Sequence, residues 1–283
     1  MSRKNENRIP IYHVDAFTSE PFKGNPAAVC LFGYPYEDNI LQSIAAEMNL
    51  SETAFLRNLE EKPFKESQLF SLRWFTPKTE VPLCGHATLA TAAVLFQDID
   101  ISANEIFFET KSGTLTAKQE DKGILLNFPS HELIPMDPNQ DLLDAIGISD
   151  FESVQFSEKM RKLLIHLQNE EILTNLKPNF EHMKCVRTRE KIEGVIVTSK
   201  GRPPYDFISR YFAPWVGINE DPVTGAAHTV LGPYWSRILG KKEMLAYQAS
   251  ARSGELIVKV FSKDRVGLIG NAVIVSKGEL YLR

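Results

Sequence analysis

Three titratable side chains lie in short phrases of small residues and have the chemistry to move a proton. Glu52 lies in SETAFL, His86 in CGHAT and Asp221 in EDPVTG. A carboxylate can act as a general base, and an imidazole can hydrogen-bond a carboxylate or pass on a proton. Each also has a structural interpretation, since Glu52 fits a first helical turn, His86 a packed core and Asp221 a helix cap. Residue types favour the structural role for Glu52 and leave Asp221 open. A lone histidine in an apolar helix is more often a core residue, but the position of His86 directly after a helix-start glycine favours a site role.

Two glycines stand where apolar helices are predicted to begin. Gly85 opens a segment that ends at Phe96, and Gly225 opens a second that ends at Leu239. A glycine lets a ligand approach the backbone N–H groups of a helix start, which carry about half a positive charge and bind carboxylates or enolates. Two such starts facing each other would make a small anion site. The alternative is that both glycines only allow tight helix packing.

Several further side chains are weaker candidates. Cys84 is interpreted as a small buried residue rather than a leftover acid or base, and Asp15 and Asn25 could line the site through the first loop. For a metal, His182 and Cys185 form a close His/Cys pair, and no HExxH motif exists. We therefore predict no metal site.

Composition restricts the class of protein. The chain has 283 residues, 43% of them hydrophobic, and a net charge of -4, which argues against a nucleic-acid partner. The first ten residues are polar and lack a secretory signal, while the longest apolar run, Ala87–Phe96, is too short to span a membrane. The cysteines are odd in number and widely spaced. A reducing compartment fits best, so the predicted location is cytoplasmic.

The two halves of the chain carry the same phrase. Arg73–Pro77 (RWFTP) is echoed by Arg210–Pro214 (RYFAP), and Pro82–Ala87 (PLCGHA) by Pro222–Ala227 (PVTGAA). The second copy has three more residues between the two parts of the phrase. Each copy predicts a strand, a loop with proline, small residues and then a buried helix. Duplication is favoured over coincidence, and it predicts two lobes, each with a curved sheet around its own central helix.

Strands and helices alternate without the regular spacing of a doubly wound sheet, which indicates an α+β fold. The predicted strands cover Ile9–Phe17, Ala27–Phe32, Ser51–Arg57, Gln68–Phe75, Glu105–Thr110, Leu163–Leu167, Gly194–Thr198, Phe207–Ala213, Leu256–Phe261, Val266–Val275 and Glu279–Leu282. The predicted helices cover Asn39–Asn49, Gly85–Phe96, Glu170–Leu176 with Asn169 as its cap, and Gly225–Leu239. Residues 129–138, with three prolines, fit a crossover between halves. We expect an N-terminal lobe over residues 1–128, possibly completed by a last strand at about 278–283, and a C-terminal lobe over 129–277.

Read together, four phrases resemble the PhzF-like family of phenazine biosynthesis, within the diaminopimelate epimerase fold. They are HVDAFTSEPFKGNPAAVC, SETAFL, FTPKTEVPLCGHATLATA and SRYFAPWVGINEDPVTGAA, in the family's order over most of the chain. The resemblance implies two pseudo-symmetric lobes, each a curved, barrel-like mixed β-sheet around a central helix. It also implies isomerase chemistry on a small carboxylate-bearing molecule, without metal or cofactor, in a homodimer.

The resemblance assigns roles to individual residues. Glu52 matches the family's acid/base glutamate, His86 its site histidine and Asp221 its site aspartate, while Gly85 and Gly225 match the helix-start glycines. With the resemblance, the catalytic interpretation of Glu52 replaces the structural one.

The chain departs from relatives of this fold at two positions. Ala226 stands where the phenazine enzyme has a serine, so a hydroxyl donor is missing and the same substrate is in question. The racemases of the fold use two opposed cysteines, whereas here Cys84 is matched by Thr224. A threonine hydroxyl is too weak an acid for that task, which argues against two-thiol racemisation.

The functional hypothesis is an isomerase in which Glu52 removes a proton from a carbon near a carboxylate and returns it elsewhere. The helix starts at Gly85 and Gly225 would hold the carboxylate, and His86 and Asp221 would position polar groups. Two alternatives remain open: a one-base epimerase of the same fold, and a non-catalytic protein that binds a small ligand.

Overall fold

The computed structural model describes residues 8–282. Residues 1–7, which carry most of the polar start used to predict the location, and residue 283 lie outside the described residues. Among the helices described, none combines the length and the hydropathy of a membrane-spanning segment. The contacts divide the chain into two compact units, the first running to Asn127 and resuming at Ile269, the second running from Phe128 to Leu268.

The elements are numbered here in chain order. The first part of the chain contains β1 (Arg8–Ala16), β2 (Asn25–Phe32), α1 (Asp38–Met48), β3 (Glu52–Asn58), β4 (Leu69–Phe75), β5 (Glu80–Val81), α2 (Gly85–Ala93), β6 (Glu105–Thr110), β7 (Gly113–Glu120) and β8 (Gly123–Pro129). The remainder contains β9 (Ile134–Pro135), α3 (Gln140–Ile146), β10 (Ser153–Ser157), β11 (Lys162–His166), α4 (Glu170–Asn175), α5 (Phe180–Cys185), β12 (Gly194–Lys200), β13 (Phe207–Ala213), β14 (Ile218–Glu220), α6 (Gly225–Leu239), β15 (Glu243–Gln248), β16 (Gly254–Val260), β17 (Arg265–Gly270) and β18 (Ala272–Tyr281). Short 3-10 turns cover Phe64–Glu66 and Pro214–Val216, and a π-helical turn covers Val94–Asp98.

In the first unit a mixed sheet packs against α2. The strand β1 pairs antiparallel with β2 and β18, β2 is parallel to β3, β3 is antiparallel to β4, and β4 is parallel to β6. The helix α2 contacts β1, β2, β3 and β18, and every residue from His86 to Ala93 is buried. A helix that is apolar on all sides requires such enclosure, as its composition predicts.

The second unit repeats this pattern of strand pairings. The strand β10 is antiparallel to β11, β11 is parallel to β12, β12 is antiparallel to β13, and β13 is parallel to β15. The helix α6 begins at Gly225, ends at Leu239 and contacts β15 and β16. The predicted α+β architecture with two pseudo-symmetric lobes is confirmed.

The duplicated phrase also repeats its interactions. Arg73 donates Nε and Nη2 to the two carboxylate oxygens of Glu80 at 2.8 and 2.9 Å, and Arg210 does the same to Glu220 at 2.7 and 2.9 Å. The three extra residues of the second copy lie between these partners, where the 3-10 turn Pro214–Val216 is found. The same fork-to-fork pair therefore ties the end of β4 to β5 and the end of β13 to β14.

The structure contains strands that were not predicted, including β7, β8, β10 and β15. It also differs from the predicted elements near the C-terminus. The predicted strand Val266–Val275 is two strands, and β18 runs on to Tyr281 because it pairs with β1 along Arg8–Ala16. The returning segment of the first unit accordingly starts earlier than residue 278. The predicted crossover contains a short strand, since Ile134 and Pro135 pair with β10.

Two helices were absent from the prediction. Both α3 and α5 start after an asparagine, Asn139 and Asn179 respectively, whose side-chain oxygen accepts a hydrogen bond from the backbone amide three residues on. These caps were the sequence signal that could have located them. The predicted cap Asn169 of α4 is confirmed by its bond from the amide of Ile172.

Candidate functional site

Glu52 is held by the sheet, as the first residue of β3. The strand pairs in parallel with β2, where Ala27 lies opposite Glu52, so the backbone of Glu52 is fixed by neighbouring strands. Its side chain is 14% exposed. The alternative of a first-turn helix position for Glu52 is therefore wrong, and the carboxylate is largely removed from bulk water.

His86 connects Glu52 to two other polar side chains. Its Nε2 lies 3.3 Å from Oε2 of Glu52 and 3.4 Å from Oγ of Ser51, and its Nδ1 lies 3.5 Å from Sγ of Cys84. Burial lowers the pKa of His86 to about 3. The imidazole is therefore neutral at physiological pH, so its 3.3 Å contact with Glu52 is not an ion pair.

The start of α2 lies beside these groups. Cys84 is the N-cap residue of α2, and its side chain makes no capping hydrogen bond to the helix. The side chain of Cys84 therefore does not supply the acceptor that an N-cap residue usually gives to the first amides of a helix. This end of the helix carries partial positive charge next to Glu52, which suits an anionic ligand.

The two candidates from the first loop, Asn25 and Asp15, lie in different surroundings. Asn25 is fully buried, and its side-chain oxygen lies 3.5 Å from Oγ of Ser51, so it belongs to the group around His86. Asp15 is also buried, but its carboxylate accepts a hydrogen bond from the amide of Phe22 at 2.6 Å. That contact gives Asp15 a role in shaping the loop.

Glu52, Cys84 and His86 each offer a metal-ligand atom, and these atoms lie within 4.8 Å of one another. Their short contacts, however, involve opposite nitrogens of the His86 ring. One ion can take only one nitrogen of a ring, so the contacts describe a hydrogen-bonded chain better than a ligand set. His182, which the sequence paired with Cys185 as a metal candidate, is engaged elsewhere, because its Nε2 lies 2.7 Å from the Asp141 carboxylate.

In the second unit Asp221 is buried and held from two sides. The Thr224 hydroxyl donates a short hydrogen bond to Oδ2 of Asp221. Gln248 accepts from the amide of Thr224 at 2.9 Å and donates to the backbone oxygen of Asp221 at 2.8 Å. Thr224 thus positions the Asp221 carboxylate. Sequence reasoning missed Gln248, which is fully buried at the end of β15.

The start of α6 resembles that of α2. Gly225 and Ala226 are its first residues, and the N-cap Thr224 makes no side-chain cap to the helix. One turn on, His228 is fully buried and donates Nδ1–H to the Thr224 backbone oxygen at 2.8 Å, while its Nε2 has no hydrogen-bond partner within the described residues. Burial lowers the pKa of His228 to about 4. His228 is a packed core residue.

A buried lysine and tyrosine near Asp221 were also missed. Lys162 Nζ donates to the Tyr211 hydroxyl at 2.8 Å. Burial lowers the pKa of Lys162 and raises that of Tyr211, with the negative charge of Asp221 raising both. A Cβ at Gly194 would lie 2.0 Å from the Tyr211 hydroxyl, so only glycine leaves room for this contact. The sequence signal that could have identified this contact was a lysine at the start of an apolar strand.

The two buried histidines predict a loss of stability in mild acid. His86 and His228 stay neutral in the folded protein but take a proton below about pH 6.5 when unfolded. The unfolded state therefore binds more protons, and the free energy of unfolding falls as the pH drops from 7.5 to 5, by about 2 kcal/mol for each histidine. Urea unfolding at the two pH values measures this decline.

In the variant His228→Asn, which keeps a donor for the Thr224 oxygen, the fall in the free energy of unfolding between pH 7.5 and 5 should be smaller by about 2 kcal/mol. Carboxylates whose pKa is lowered by ion pairs, such as Glu80, lose their contribution to the free energy of unfolding only below this pH range. A wild-type stability that is equal at pH 7.5 and 5, or an unchanged decline in His228→Asn, would contradict the prediction.

Comparisons with known proteins agree with this architecture. The family model for phenazine biosynthesis-like proteins matches residues 14–278. The chain is 50% identical over 285 residues to phenazine biosynthesis-like domain-containing protein 1 of Mus musculus, covering 96% of this chain and 99% of that protein. It is also 50% identical over 278 residues to an uncharacterized isomerase of Halalkalibacterium halodurans, covering 96% and 98% of the two chains.

A crystal structure of a PhzF-family phenazine biosynthesis protein from Enterococcus faecalis matches with a TM-score of 0.86 and 40% identity, covering 97% of this chain and 100% of that one. The predicted family resemblance is confirmed, and the relatives support an isomerase-type enzyme. Because the family model and the relatives extend over nearly the whole chain, the protein belongs to the phenazine biosynthesis-like (PhzC-PhzF) family.

Proposed function

We propose that the protein is an isomerase that moves a proton between carbons of a small carboxylate-bearing substrate, with Glu52 as the acid and base. One observation carries this proposal. The carboxylate of Glu52 is largely buried and lies 3.3 Å from a neutral imidazole at the start of α2. A base, a hydrogen-bond donor and a site for an anion therefore occur together.

The proposed reaction needs no net input of atoms or electrons. The Glu52 carboxylate takes a proton from a carbon adjacent to an unsaturated or carboxylate-conjugated group, and the electron pair of the C–H bond enters that conjugated system. The backbone amides at Gly85 and His86 stabilise the negative charge that develops. Glu52 then returns the proton to another carbon, which restores its carboxylate and completes the isomerisation.

The proposal is cofactor-independent because the chain itself offers each group that such a proton transfer uses. The acid and base is Glu52, the donor is His86, and the helix start supplies the charge stabilisation. Two-thiol racemisation is a poorer fit, because the Thr224 hydroxyl is engaged with Asp221. A hydroxyl that holds a carboxylate in place is not available as a second acid.

We assign Asp221 to substrate binding through an amine or hydroxyl group. Its carboxylate is buried and held by Thr224, and its backbone is held by Gln248, so its orientation is set before a ligand arrives. Gly225 and Ala226 stay predicted binding positions on the basis of the helix start they form. The family resemblance also supports a homodimer, and the three thiols support a cytoplasmic location.

Isotope exchange tests the proposal. The protein is incubated in D2O with a panel of unsaturated cyclic acids that carry amino or hydroxy substituents, and NMR follows both deuterium uptake at carbon and movement of the double bond. We expect one class of compound to be isomerised, with deuterium only at the carbons between which the proton moves. A compound that binds the protein tightly but neither exchanges nor isomerises would instead identify a non-catalytic binding protein.

A further inference from the structure

The contacts of His86 assign a role to Cys84 that packing does not explain. Cys84 Sγ lies 3.5 Å from Nδ1 of His86, on the ring edge opposite to Glu52. Cys30, in the same unit, shows what a purely packed cysteine looks like here. It is fully buried, and burial alone raises the pKa of its thiol. Cys84 is buried as well, yet it is placed at the only other ring nitrogen of the site histidine.

The protonation of the ring follows from its neighbours. A neutral imidazole carries one N–H and one lone pair. An ionised Glu52 can only accept a hydrogen bond, so a lone pair on Nε2 at 3.3 Å from its oxygen would be repelled. Ser51, the other neighbour of Nε2, has an oxygen that can also accept. The proton of His86 therefore lies on Nε2.

The lone pair then lies on Nδ1, and the group beside it must donate. A thiol can donate to nitrogen, whereas a thiolate can only accept. We propose that the Cys84 thiol donates to Nδ1 of His86 and fixes the tautomer whose Nε2–H donates to Glu52, which makes Cys84 a positioning residue of the site. This inference rests on the proposed function of Glu52.

The arrangement decides where Glu52 carries the proton that it takes from the substrate. With Nδ1 occupied by the thiol, Nε2–H continues to donate to Oε2 after Glu52 becomes neutral. The transferred proton then lies on Oε1, the other carboxylate oxygen, and it stays available for return to the substrate. Without the thiol, the neutral ring can change to the Nδ1–H tautomer, and the Glu52 carboxyl can then donate a hydrogen bond to the Nε2 lone pair. The proton stays on Glu52 but points away from the substrate, so it can exchange with water before it is returned.

Nitrogen NMR of the protein with 15N-labelled histidine tests the tautomer without a substrate. The chain has six histidines, and the spectrum of His86→Gln identifies the His86 signals. We expect the Nε2–H tautomer in the wild type at pH 7.5 and 5.5. In Cys84→Ala the Nδ1 signal should shift at pH 7.5, because it loses its donor, and the Nδ1–H tautomer should appear at pH 5.5.

Cys84→Ser, which keeps a donor, should restore the wild-type pattern, and Cys185→Ser, which changes an exposed thiol, should not alter it. A wild-type ring protonated on Nδ1, or a Cys84→Ala spectrum equal to that of the wild type at both pH values, would overturn the inference. This result is independent of whether a substrate is found, so it is separate from a failure of the proposed function.

Kinetics with an isomerised compound provide a second test. Cys84→Ala should lower kcat by about tenfold with little change in KM, because Glu52 and His86 are kept but their orientation is no longer fixed, while substrate binding is retained. It should also raise the fraction of product that contains solvent deuterium. Cys84→Ser should recover both values. Equal deuterium fractions in wild type and Cys84→Ala would contradict a role in retaining the proton.

Discussion

Replacing Glu52 with glutamine should lower the rate of proton exchange and isomerisation by at least about a hundredfold, the scale of general acid–base catalysis. The amide matches the carboxylate in shape and can still accept the hydrogen bond from His86 at 3.3 Å, so the surroundings of the side chain are retained. The amide cannot, however, remove a proton from a carbon of the substrate. The loss should therefore appear in kcat, measured by NMR in D2O, with KM changed by less.

Glu47→Gln is the matched control for this substitution. Glu47 is an exposed residue of α1 in the same unit, and the change removes one negative charge, as Glu52→Gln does. Its rate should equal that of the wild type. If Glu52→Gln exchanged carbon-bound protons as fast as the wild type, Glu52 would not be the base. If only a Cys84 variant abolished exchange, the reaction would be that of a one-base epimerase that uses the thiol.

Replacing Arg210 with methionine should lower the free energy of unfolding by about 3–5 kcal/mol, as for a buried ion pair that loses one partner. Arg210 is 9% exposed, donates to both oxygens of Glu220 and also donates to the backbone oxygens of Leu173 and Leu176 at the end of α4. Methionine fills much of the volume but leaves these acceptors without a donor. Urea unfolding at pH 7.5 measures the loss.

The duplicated phrase provides the control, because Arg73 makes the same pair in the first unit. Its side chain is 26% exposed, and Lys111 also contacts Glu80, so Glu80 keeps a cation when Arg73 is lost. Arg73→Met should therefore cost only about 1–2 kcal/mol. Within the described residues no second cation contacts Glu220. Should Arg210→Met express too poorly to measure, Arg210→Lys must still cost more than Arg73→Lys; equal losses in the two units would contradict the burial argument.

Local sequence information was sufficient where one segment decides its own structure. The start of α6 at Gly225 and its end at Leu239 follow from a small-residue phrase, an apolar stretch and a glycine after the last residue. The repeated phrase predicted matching elements, and the two arginine–glutamate pairs show that the copies also match in detail. The resemblance to known family motifs selected Glu52, His86 and Asp221 when residue types alone left their roles divided.

Contacts between distant segments could be identified only from the tertiary structure. Glu52 meets His86 because β3 and the start of α2 lie side by side, and the thiol of Cys84 reaches the ring because the N-cap residue is extended, with φ of -144°. Gln248 and Lys162 lie near Asp221 but come from other strands, so no spacing along the chain predicts these contacts.

The amino-acid sequence by itself therefore determined the duplicated α+β plan, the two apolar helices and the identity of the acid–base glutamate as a candidate. Those features depend on periodicity, on helix-start residues and on motifs, all of which are local. The tertiary structure alone decided that Glu52 is largely buried, that His86 is neutral and that a thiol lies at its second nitrogen. Burial and hydrogen-bond partners are set by which strands and helix ends pack together, and that packing joins residues far apart in the chain.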